Sequence, residues 1–203
     1  MAAITERIYR VASRHRYDAR VSDAIVTERL VLRRWTADDL APLATMNADA
    51  EVMRYFPETM TPDQSRAMLD RFEAHFERDG FGLWVVTVDE RFAGFTGLNR
   101  PTLVTPMGDF VEIGWRLARW AWGHGYASEA AAASLREGFE TCGLTEVFSM
   151  TTRTNAPSEA VMRRIGMHRR EDLDFDHPGT PGWWGRAHIV YQVTADQWRS
   201  SRR

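Results

Sequence analysis

The Gly123–Gly125 turn, GHG, is the stretch whose residue types and spacing most clearly suit ligand binding. It follows the β-favouring run Phe110–Leu117 and precedes an alanine-rich run that begins at Ser128. We therefore predict a strand, a glycine turn and the start of a helix, in that order. Glycines let backbone amides approach a ligand, and the first amides of a helix are unpaired and partly positive. This arrangement predicts binding of a phosphate or pyrophosphate.

The turn differs from two well-known phosphate-binding loops. The chain contains no lysine, so the Walker pattern GxxxxGKS/T is absent. The dinucleotide pattern GxGxxG requires a third glycine where this sequence has Ser128. A phosphate at this turn would therefore be held mostly by backbone amides. The alternative is an ordinary strand–turn–helix connection that binds no ligand.

Three ordered segments resemble a known family. Trp122-x-x-Gly125-x-Ala127 is similar to the pyrophosphate loop Q/R-x-x-G-x-G/A of the GNAT superfamily of acyl-CoA N-acetyltransferases, with Trp122 in place of Gln or Arg. The strings TERLVLRRWTADD, EIGWRL…WGHGYASEA and NAPSEAVMRRIGM resemble its RimJ/RimL-type branch, the ribosomal-protein N-terminal acetyltransferases. The resemblance extends over roughly residues 27–194.

The resemblance implies an α/β (α+β) GNAT-like fold, with a mixed, largely antiparallel central sheet flanked by helices. It also implies acetyl-CoA as co-substrate and an oxyanion-binding amide near Arg116 or Leu117. The residues that it assigns to coenzyme binding are Trp115, Arg116, Leu117, Arg119, Trp122, Gly123, His124, Gly125, Tyr126, Ala127, Ser128, Asn155 and Ser158.

Glu112 is the candidate general base. It lies in an otherwise apolar strand, where loss of solvation would raise its pKa toward a useful value. The acceptor nitrogen must be neutral to attack. Deprotonation at pH 7 costs about 1.4 kcal/mol for an α-amine and about 4.6 kcal/mol for a lysine-like amine. The alternative is a glutamate that faces solvent or pairs with an arginine.

Ser158 and Asn155 complete the predicted catalytic set. The resemblance assigns Ser158 to protonating or orienting the CoA sulfur, and Asn155 to contacts with the pantetheine as well as to capping a helix. The alternative for Ser158 is a first-turn residue that binds only backbone. Other GNAT lineages use a tyrosine where this chain has Met162. No credible covalent nucleophile lies near the thioester, so direct transfer through a ternary complex is predicted.

Two aromatic pairs are candidate substrate-binding residues. Tyr55 and Phe56 lie in a connection that borders the acceptor pocket in GNAT-like folds, although packing in the core is an equal alternative. Trp183 and Trp184 lie in a Gly- and Pro-rich loop. They form either a lid over the pocket or a contact between two copies of the chain. Acids in the nearby loops either attract a cationic acceptor or are merely solvated; they are Glu58, Asp174 and Asp176.

The predicted elements form one domain, residues 26–203, preceded by an extension, residues 1–25, that is either an extra helix or a flexible arm. Thr61 and Pro62 mark a helix start, and Asn155 caps another. The strands and helices are predicted over 27–35, 38–47, 62–79, 81–88, 91–99, 110–117, 128–142, 146–154, 156–166, 169–175 and 188–194.

Composition excludes several classes of protein. A net charge of −2 gives no basic surface for nucleic acid, and no apolar run approaches the length of a membrane span or a secretion signal. Six histidines without ligand spacing and one cysteine, Cys142, predict no metal site. We therefore expect a cytoplasmic enzyme, monomeric or homodimeric.

The predicted function is acetyl-CoA-dependent transfer of an acetyl group to a primary amine. The acceptor is either a protein N-terminus or a small-molecule amine, and no residue pattern chooses between them. A different class of protein remains as the alternative: an acyl-CoA-binding regulatory module without catalytic activity.

Overall fold

The computed structural model describes residues 24–179 and 182–201. The strands are Ala24–Val26 (β1), Val31–Arg33 (β2), Leu83–Val88 (β3), Arg91–Asn99 (β4), Glu112–Leu117 (β5), Glu146–Thr152 (β6), His168–Arg169 (β7), Phe175–Asp176 (β8) and Ala187–Thr194 (β9). The α-helices are Leu40–Ala48 (α1), Pro62–Asp79 (α2), Tyr126–Arg136 (α3), Ala156–Arg164 (α4) and Ala195–Ser200 (α5).

One mixed sheet organises the described chain. Its strand order is β1-β2-β3-β4-β5-β6-β9-β7, and β8 also pairs with β9. Among the strands described, β5 and β6 pair in parallel and all other neighbours are antiparallel. The helices bury their apolar sides against this sheet in two large clusters, one under β2–β4 and one under β5, β6 and β9. The predicted fold is confirmed.

Local sequence signals explain the element boundaries that were predicted most closely. Thr61 caps α2 by accepting a hydrogen bond from the Gln64 amide, and Gly80 ends that helix with a left-handed φ of 74°. Asp89 and Glu90, at φ 47° and 64°, form the two-residue turn between β3 and β4. Both central residues of this hairpin turn are left-handed, the geometry that suits the twist of the paired strands.

The structure differs from the prediction at several places. The predicted strand 27–35 is only Val31–Arg33, and the predicted helix 128–142 ends at Arg136, before a π-helical turn over Glu137–Thr141. Ala24 and Ile25 belong to β1, although the extension was predicted to reach residue 25; residues 1–23 lie outside the described part. Helix α3 begins at Tyr126 rather than Ser128. The predicted strand 169–175 is two short strands separated by a 3-10 turn. Helix α5 was not predicted, although Thr194 and Gln197 form a capping box at its start.

Candidate active site

A gap between β5 and β6 is the main feature of the sheet. The two strands have a single register pair, Glu112 with Phe148, and the Phe148 amide donates to the Val111 carbonyl at 2.9 Å. Ser149 Oγ donates to the Ile113 carbonyl, also at 2.9 Å. Beyond these contacts the described strands share no backbone pair. A cavity of about 940 Å³ opens there, which is within the range of small-molecule sites.

The amides of β5 alternate between the two neighbouring strands. The Ala118 amide donates to Ala93 on the β4 side, whereas the Ile113 carbonyl faces β6. By this alternation the Arg116 amide faces β4, and the amides of Trp115 and Leu117 face the gap. Of the two positions predicted for an oxyanion-binding amide, only Leu117 therefore directs its N–H into the cavity.

The glycine turn lies at the open end of this gap and has the predicted shape. Gly123 and Gly125 adopt left-handed φ values of 79° and 81°. The first hydrogen bond of α3 runs from the Glu129 amide to the Gly125 carbonyl at 3.1 Å. The amides of residues 126–128 precede it and are the unpaired first-turn amides of the helix. Ser128 Oγ is buried beside the cavity and has no protein partner. These donors fit the diphosphate of coenzyme A.

Arg29 and Glu129 brace the turn from outside, a contact that sequence reasoning missed. Arg29 Nε donates to Glu129 Oε2 at 2.7 Å, and Arg29 Nη1 donates to the His124 carbonyl at 2.9 Å. Burial alone would raise the pKa of Glu129, but hydrogen bonds from Thr27 and Arg29 lower it. The ion pair therefore connects the start of β2 to the first turn of α3. No local pattern shows it, because these residues are 100 positions apart.

Trp122 has a structural role at its unusual position in the motif. Its indole Nε1 donates to the Leu117 carbonyl at 2.8 Å. This hydrogen bond attaches the turn to the end of β5 and leaves the glycine amides free. A tryptophan in place of Gln or Arg is therefore compatible with binding of a phosphate by backbone amides.

Glu112 lies at the closed end of the gap, where β5 and β6 meet. Its carboxylate receives a weak hydrogen bond from Asn99 Nδ2 at 3.4 Å. In the described part of the chain no arginine or histidine forms an ion pair with it. Burial raises the pKa of Glu112 to about 7, and the Asn99 hydrogen bond opposes this only partly. The group can therefore accept a proton near neutral pH.

Ser158 and Asn155 face Glu112's strand from the start of α4. Asn155 Oδ1 accepts from the Ser158 amide at 3.3 Å, which caps the helix. Asn155 Nδ2 donates to Ser158 Oγ at 3.1 Å and to Thr151 Oγ1 at 2.9 Å. Because Ser158 Oγ accepts a hydrogen bond from the side-chain amide of Asn155, its own proton is available for donation into the cavity.

Of the predicted site residues, all but three line the cavity. Arg119 is exposed, with Nη1 4.0 Å from Asp49 Oδ2. His124 points outward and stacks on Tyr126, with ring centroids 5.3 Å apart. Trp184 is 62% exposed, whereas its neighbour Trp183 reaches the wall. The structure thus separates the two tryptophans that the sequence prediction had grouped.

Several wall residues were missed by sequence reasoning. Met150 and Thr152 line the cavity because β6 diverges from β5, and a strand pattern does not reveal that divergence. His177 and His188 form the wall near Trp183, and burial lowers the pKa of both imidazoles. His177 lies in the Gly- and Pro-rich connection and His188 begins the predicted strand 188–194, and neither pattern marks a cavity wall.

The matching family model covers residues 29–168 and is described as "Acetyltransferase (GNAT) domain". The chain belongs to the GNAT acetyltransferase family. The prediction of an N-acetyltransferase domain is thereby confirmed. Family members use acetyl-CoA, and the cavity, the turn and the unpaired Ser128 hydroxyl of this GNAT domain fit that co-substrate.

Three similar proteins carry names of the same kind. The "FsC-acetyl coenzyme A-N(2)-transacetylase" of Aspergillus fumigatus is 33% identical over 123 residues, 59% of this chain and 52% of that protein. The chain thus spans about half the length of that relative. The "Uncharacterized N-acetyltransferase YnaD" of Bacillus subtilis is 28% identical over 86% of this chain and 98% of its own length. A GNAT-family acetyltransferase structure from Bacillus anthracis is 25% identical, with a TM-score of 0.70, over 85% of this chain and 99% of that one.

The branch within the GNAT family is less closely defined. A RimL structure, the ribosomal L7/L12 alpha-N-protein acetyltransferase in complex with coenzyme A, has a TM-score of 0.68 and covers 85% of this chain and 98% of that one. Its identity of 15% shows the shared fold alone. The RimJ/RimL-type assignment therefore stays a prediction.

Residues 24–179 and 182–201 show two further properties of this GNAT domain. No helix there combines the length and the apolar character needed to cross a membrane. No group of three or more His, Cys, Asp or Glu side chains in the same residues is arranged to hold a metal ion.

Proposed function

We propose that this GNAT domain transfers the acetyl group of acetyl-CoA directly to a primary amine, with Glu112 as base and Ser158 as acid. The observation that carries the proposal is the position of the unpaired Glu112 carboxylate, at the closed end of the β5–β6 gap, with a pKa of about 7. The glycine turn lies at the other end. The gap between them would hold an extended pantetheine arm.

The chain's own groups account for binding of the co-substrate, whose thioester supplies the acyl group. The first amides of α3 and Ser128 Oγ would hold the diphosphate at the positive end of the helix. The gap-facing amides of Trp115 and Leu117 would pair with the pantetheine and with the carbonyl oxygen of the thioester. These roles are mostly filled by backbone, so they tolerate a variable side-chain sequence.

The chemical step requires a neutral acceptor nitrogen and a protonated leaving sulfur. Glu112 takes a proton from the acceptor ammonium, directly or through one water, and the nitrogen attacks the thioester carbon. The N–H of Leu117 stabilises the oxyanion that develops. The C–S bond then breaks, and the Ser158 hydroxyl donates to the leaving sulfur. The proton that the acetylated nitrogen loses restores the Ser158 hydroxyl, and Glu112 releases its proton to solvent.

Direct transfer is favoured over an acetyl-cysteine intermediate. Cys142 is the only cysteine of the chain, and it lies buried beyond the far end of α3. Burial and the neighbouring Glu137 raise the pKa of its thiol to about 11, so the thiolate needed for nucleophilic attack is scarce at neutral pH.

The acceptor in this proposal is a primary amine, either a protein N-terminus or a small molecule. The coenzyme-bound RimL structure with the same fold favours a peptide, whereas the Aspergillus relative carries the name of an FsC transacetylase. Tyr55, Phe56 and Trp183 would form the acceptor side of the cavity. A cytoplasmic location and a monomeric or homodimeric state stay predictions.

An acceptor screen tests the proposal. Purified protein is incubated with acetyl-CoA and a panel of peptides and amines, and released thiol is measured. We expect amine-dependent thiol release by the wild type. Binding of acetyl-CoA without turnover of any amine, in the wild type as in Glu112→Gln, would instead indicate the regulatory module without catalytic activity.

A further inference from the structure

Arg116 is a cation in the cavity wall for which the described chain supplies no carboxylate. Its Nη1 donates to the neutral Asn47 Oδ1 at 2.6 Å. Its Nε is shielded from solvent and has no partner. The guanidinium carbon lies 4.2 Å from the centre of the Phe56 ring, and the sulfur of Met60 is 3.8 Å from Nη1. Amide, aromatic and thioether groups thus surround the positive charge.

This environment disfavours the charge but does not remove it. Burial lowers the pKa of Arg116 to about 10, so the guanidinium stays protonated at neutral pH. A poorly solvated cation without a counter-charge is unfavourable, and an incoming anion relieves that cost. Buried polar groups are normally hydrogen-bonded, so the partnerless Nε calls for a partner that the described chain does not supply.

The guanidinium belongs to the acceptor side of the cavity. Its contacts come from Asn47 in α1, Phe56 in the following connection and Met68 in α2. The coenzyme turn and α4 contribute none of the contacts described for it. Arg116 and Glu112 lie on the same face of β5 because they are four residues apart, with Cα atoms separated by about 13 Å.

The other charges near this side are already paired. Arg54 lines the cavity wall, and its Nη1 lies 3.6 Å from Glu51 Oε2. Two of the three loop acids that were candidates for attracting a cationic acceptor are also engaged: Arg169 donates to Asp174 at 2.6 Å and Arg186 donates to Asp176 at 2.8 Å. The third, Glu58, is exposed and does not line the cavity. Among the described residues, the acceptor side therefore presents one carboxylate without a cationic partner, Glu112, and one guanidinium without a carboxylate, Arg116. Arg164, which also lines the cavity, lies at the end of α4 on the other side.

We infer that Arg116 binds an anionic group of the acceptor, so that the preferred substrate is an amine that also carries a carboxylate. The inference rests on the proposed function only in naming the bound molecule as the acceptor. Asn47 is a positioning residue in this scheme, because it holds the guanidinium through its carbonyl and donates to Ser65 Oγ at 3.0 Å. A diamine would be disfavoured by repulsion from the same guanidinium.

The experiment compares matched amines, 4-aminobutanoate and 6-aminohexanoate against their carboxamides and against 1,5-diaminopentane. Binding to the CoA-loaded protein is measured by calorimetry, and turnover with acetyl-CoA by thiol release. We expect the carboxylates to bind about 10- to 100-fold more tightly than the carboxamides, the range for a charge-assisted hydrogen bond. The diamine should bind most weakly.

Variants separate anion binding from a structural role. In Arg116→Gln the carboxylate preference should disappear, so that each carboxylate has the same KM as its carboxamide. Asn47→Asp keeps the cation but places a carboxylate beside it, and it should remove the preference as well. Arg136→Gln, which removes an exposed charge from α3, is the control and should keep it. Thermal unfolding and acetyl-CoA affinity are measured for each variant.

Equal binding of carboxylates and carboxamides by the wild type would overturn the inference, and so would absence of binding by the whole panel. A preference that survives in both Arg116→Gln and Asn47→Asp would overturn it too. Carboxylate binding that depends on Arg116, but without turnover of any amine, would support the anion site and contradict the proposed enzymatic function.

Discussion

The coenzyme side and the acceptor side of the cavity are built in different ways. The coenzyme side consists of backbone amides in one strand, one turn and one helix start: the gap-facing amides of Trp115 and Leu117, and the amides from Gly123 to Ser128. The acceptor side consists of side chains from α1, α2 and the connections around them, brought together on Arg116. The first can remain constant while acceptors change, because it depends little on side chains. In the proposed function, the second selects the amine.

The largest effect is expected at the point where the two sides meet. Glu112→Gln should lower kcat/KM by about 10²- to 10⁴-fold, since it removes the general base without removing bulk. Affinity for acetyl-CoA should be unchanged. Calorimetry and thiol release measured in parallel check this separation; weaker coenzyme binding by the variant would place Glu112 on the coenzyme side instead.

The pH dependence gives a sharper form of the same prediction. The base must be deprotonated, so wild-type kcat/KM should fall as pH falls below about 7, the pKa of Glu112. In the plot of kcat/KM against pH, the decrease with this pKa should be missing for Glu112→Gln. The decrease caused by protonation of the acceptor amine should remain. An identical profile in both proteins would show that another group takes the proton.

Ser158→Ala should have the next largest effect, a decrease in kcat of about 10- to 100-fold, if the hydroxyl donates to the sulfur as one charge-assisted hydrogen bond. The helix cap should persist in the variant, because Asn155 Oδ1 accepts from the backbone amide of residue 158 and Asn155 Nδ2 keeps Thr151 as a partner. A thioester with a better leaving group should restore part of the rate. Equal loss with both thioesters would mean that Ser158 only shapes the wall.

Gly125→Ala tests the coenzyme side by itself. A Cβ at φ 81° is strained by about 1–2 kcal/mol, and it would lie 3.5 Å from the Arg29 guanidinium. We expect lower thermal stability and about tenfold weaker acetyl-CoA binding, with acceptor preference unchanged. Gly80→Ala carries similar strain at φ 74°, in open space at the end of α2. This variant should have lower thermal stability but unchanged affinity for acetyl-CoA. A loss of coenzyme affinity in Gly80→Ala as large as in Gly125→Ala would contradict the account.

Ser128→Ala should have the smallest effect. Its hydroxyl has no protein partner, so removing it should leave unfolding unchanged. Coenzyme binding should weaken by about 2- to 12-fold, the contribution of one ordinary hydrogen bond. Thermal unfolding with and without coenzyme A measures both quantities. A loss of stability in the free protein would show instead that the hydroxyl serves the fold.

The same contrast explains what the sequence could predict. The glycine turn, the cap at Asn155 and the candidate base Glu112 are local patterns, so their positions follow from spacing and residue type. Thr61 and Gly80 likewise bound α2 through local capping. These features depend on residues a few positions apart, which is the range in which backbone geometry and propensity act.

The rest depended on contacts between distant segments. Arg116 meets Asn47 across 69 positions, and Arg29 meets Glu129 across 100. The division of the predicted strand 169–175 reflects Asp174, which accepts hydrogen bonds from Arg169 and from the Val190 amide. No pattern within the segment shows these partners. Trp183 and Trp184 were predicted together for the same reason, although only one of them reaches the cavity.

Calorimetric titration of the folded chain with coenzyme A and, separately, with pantetheine tests the central claim most directly. If the amides of the Gly123–Gly125 turn and of the first turn of α3 hold the diphosphate, coenzyme A should bind at least about tenfold more tightly than pantetheine, which lacks it. Equal affinity for the two compounds, or no heat of binding from either, would contradict the account.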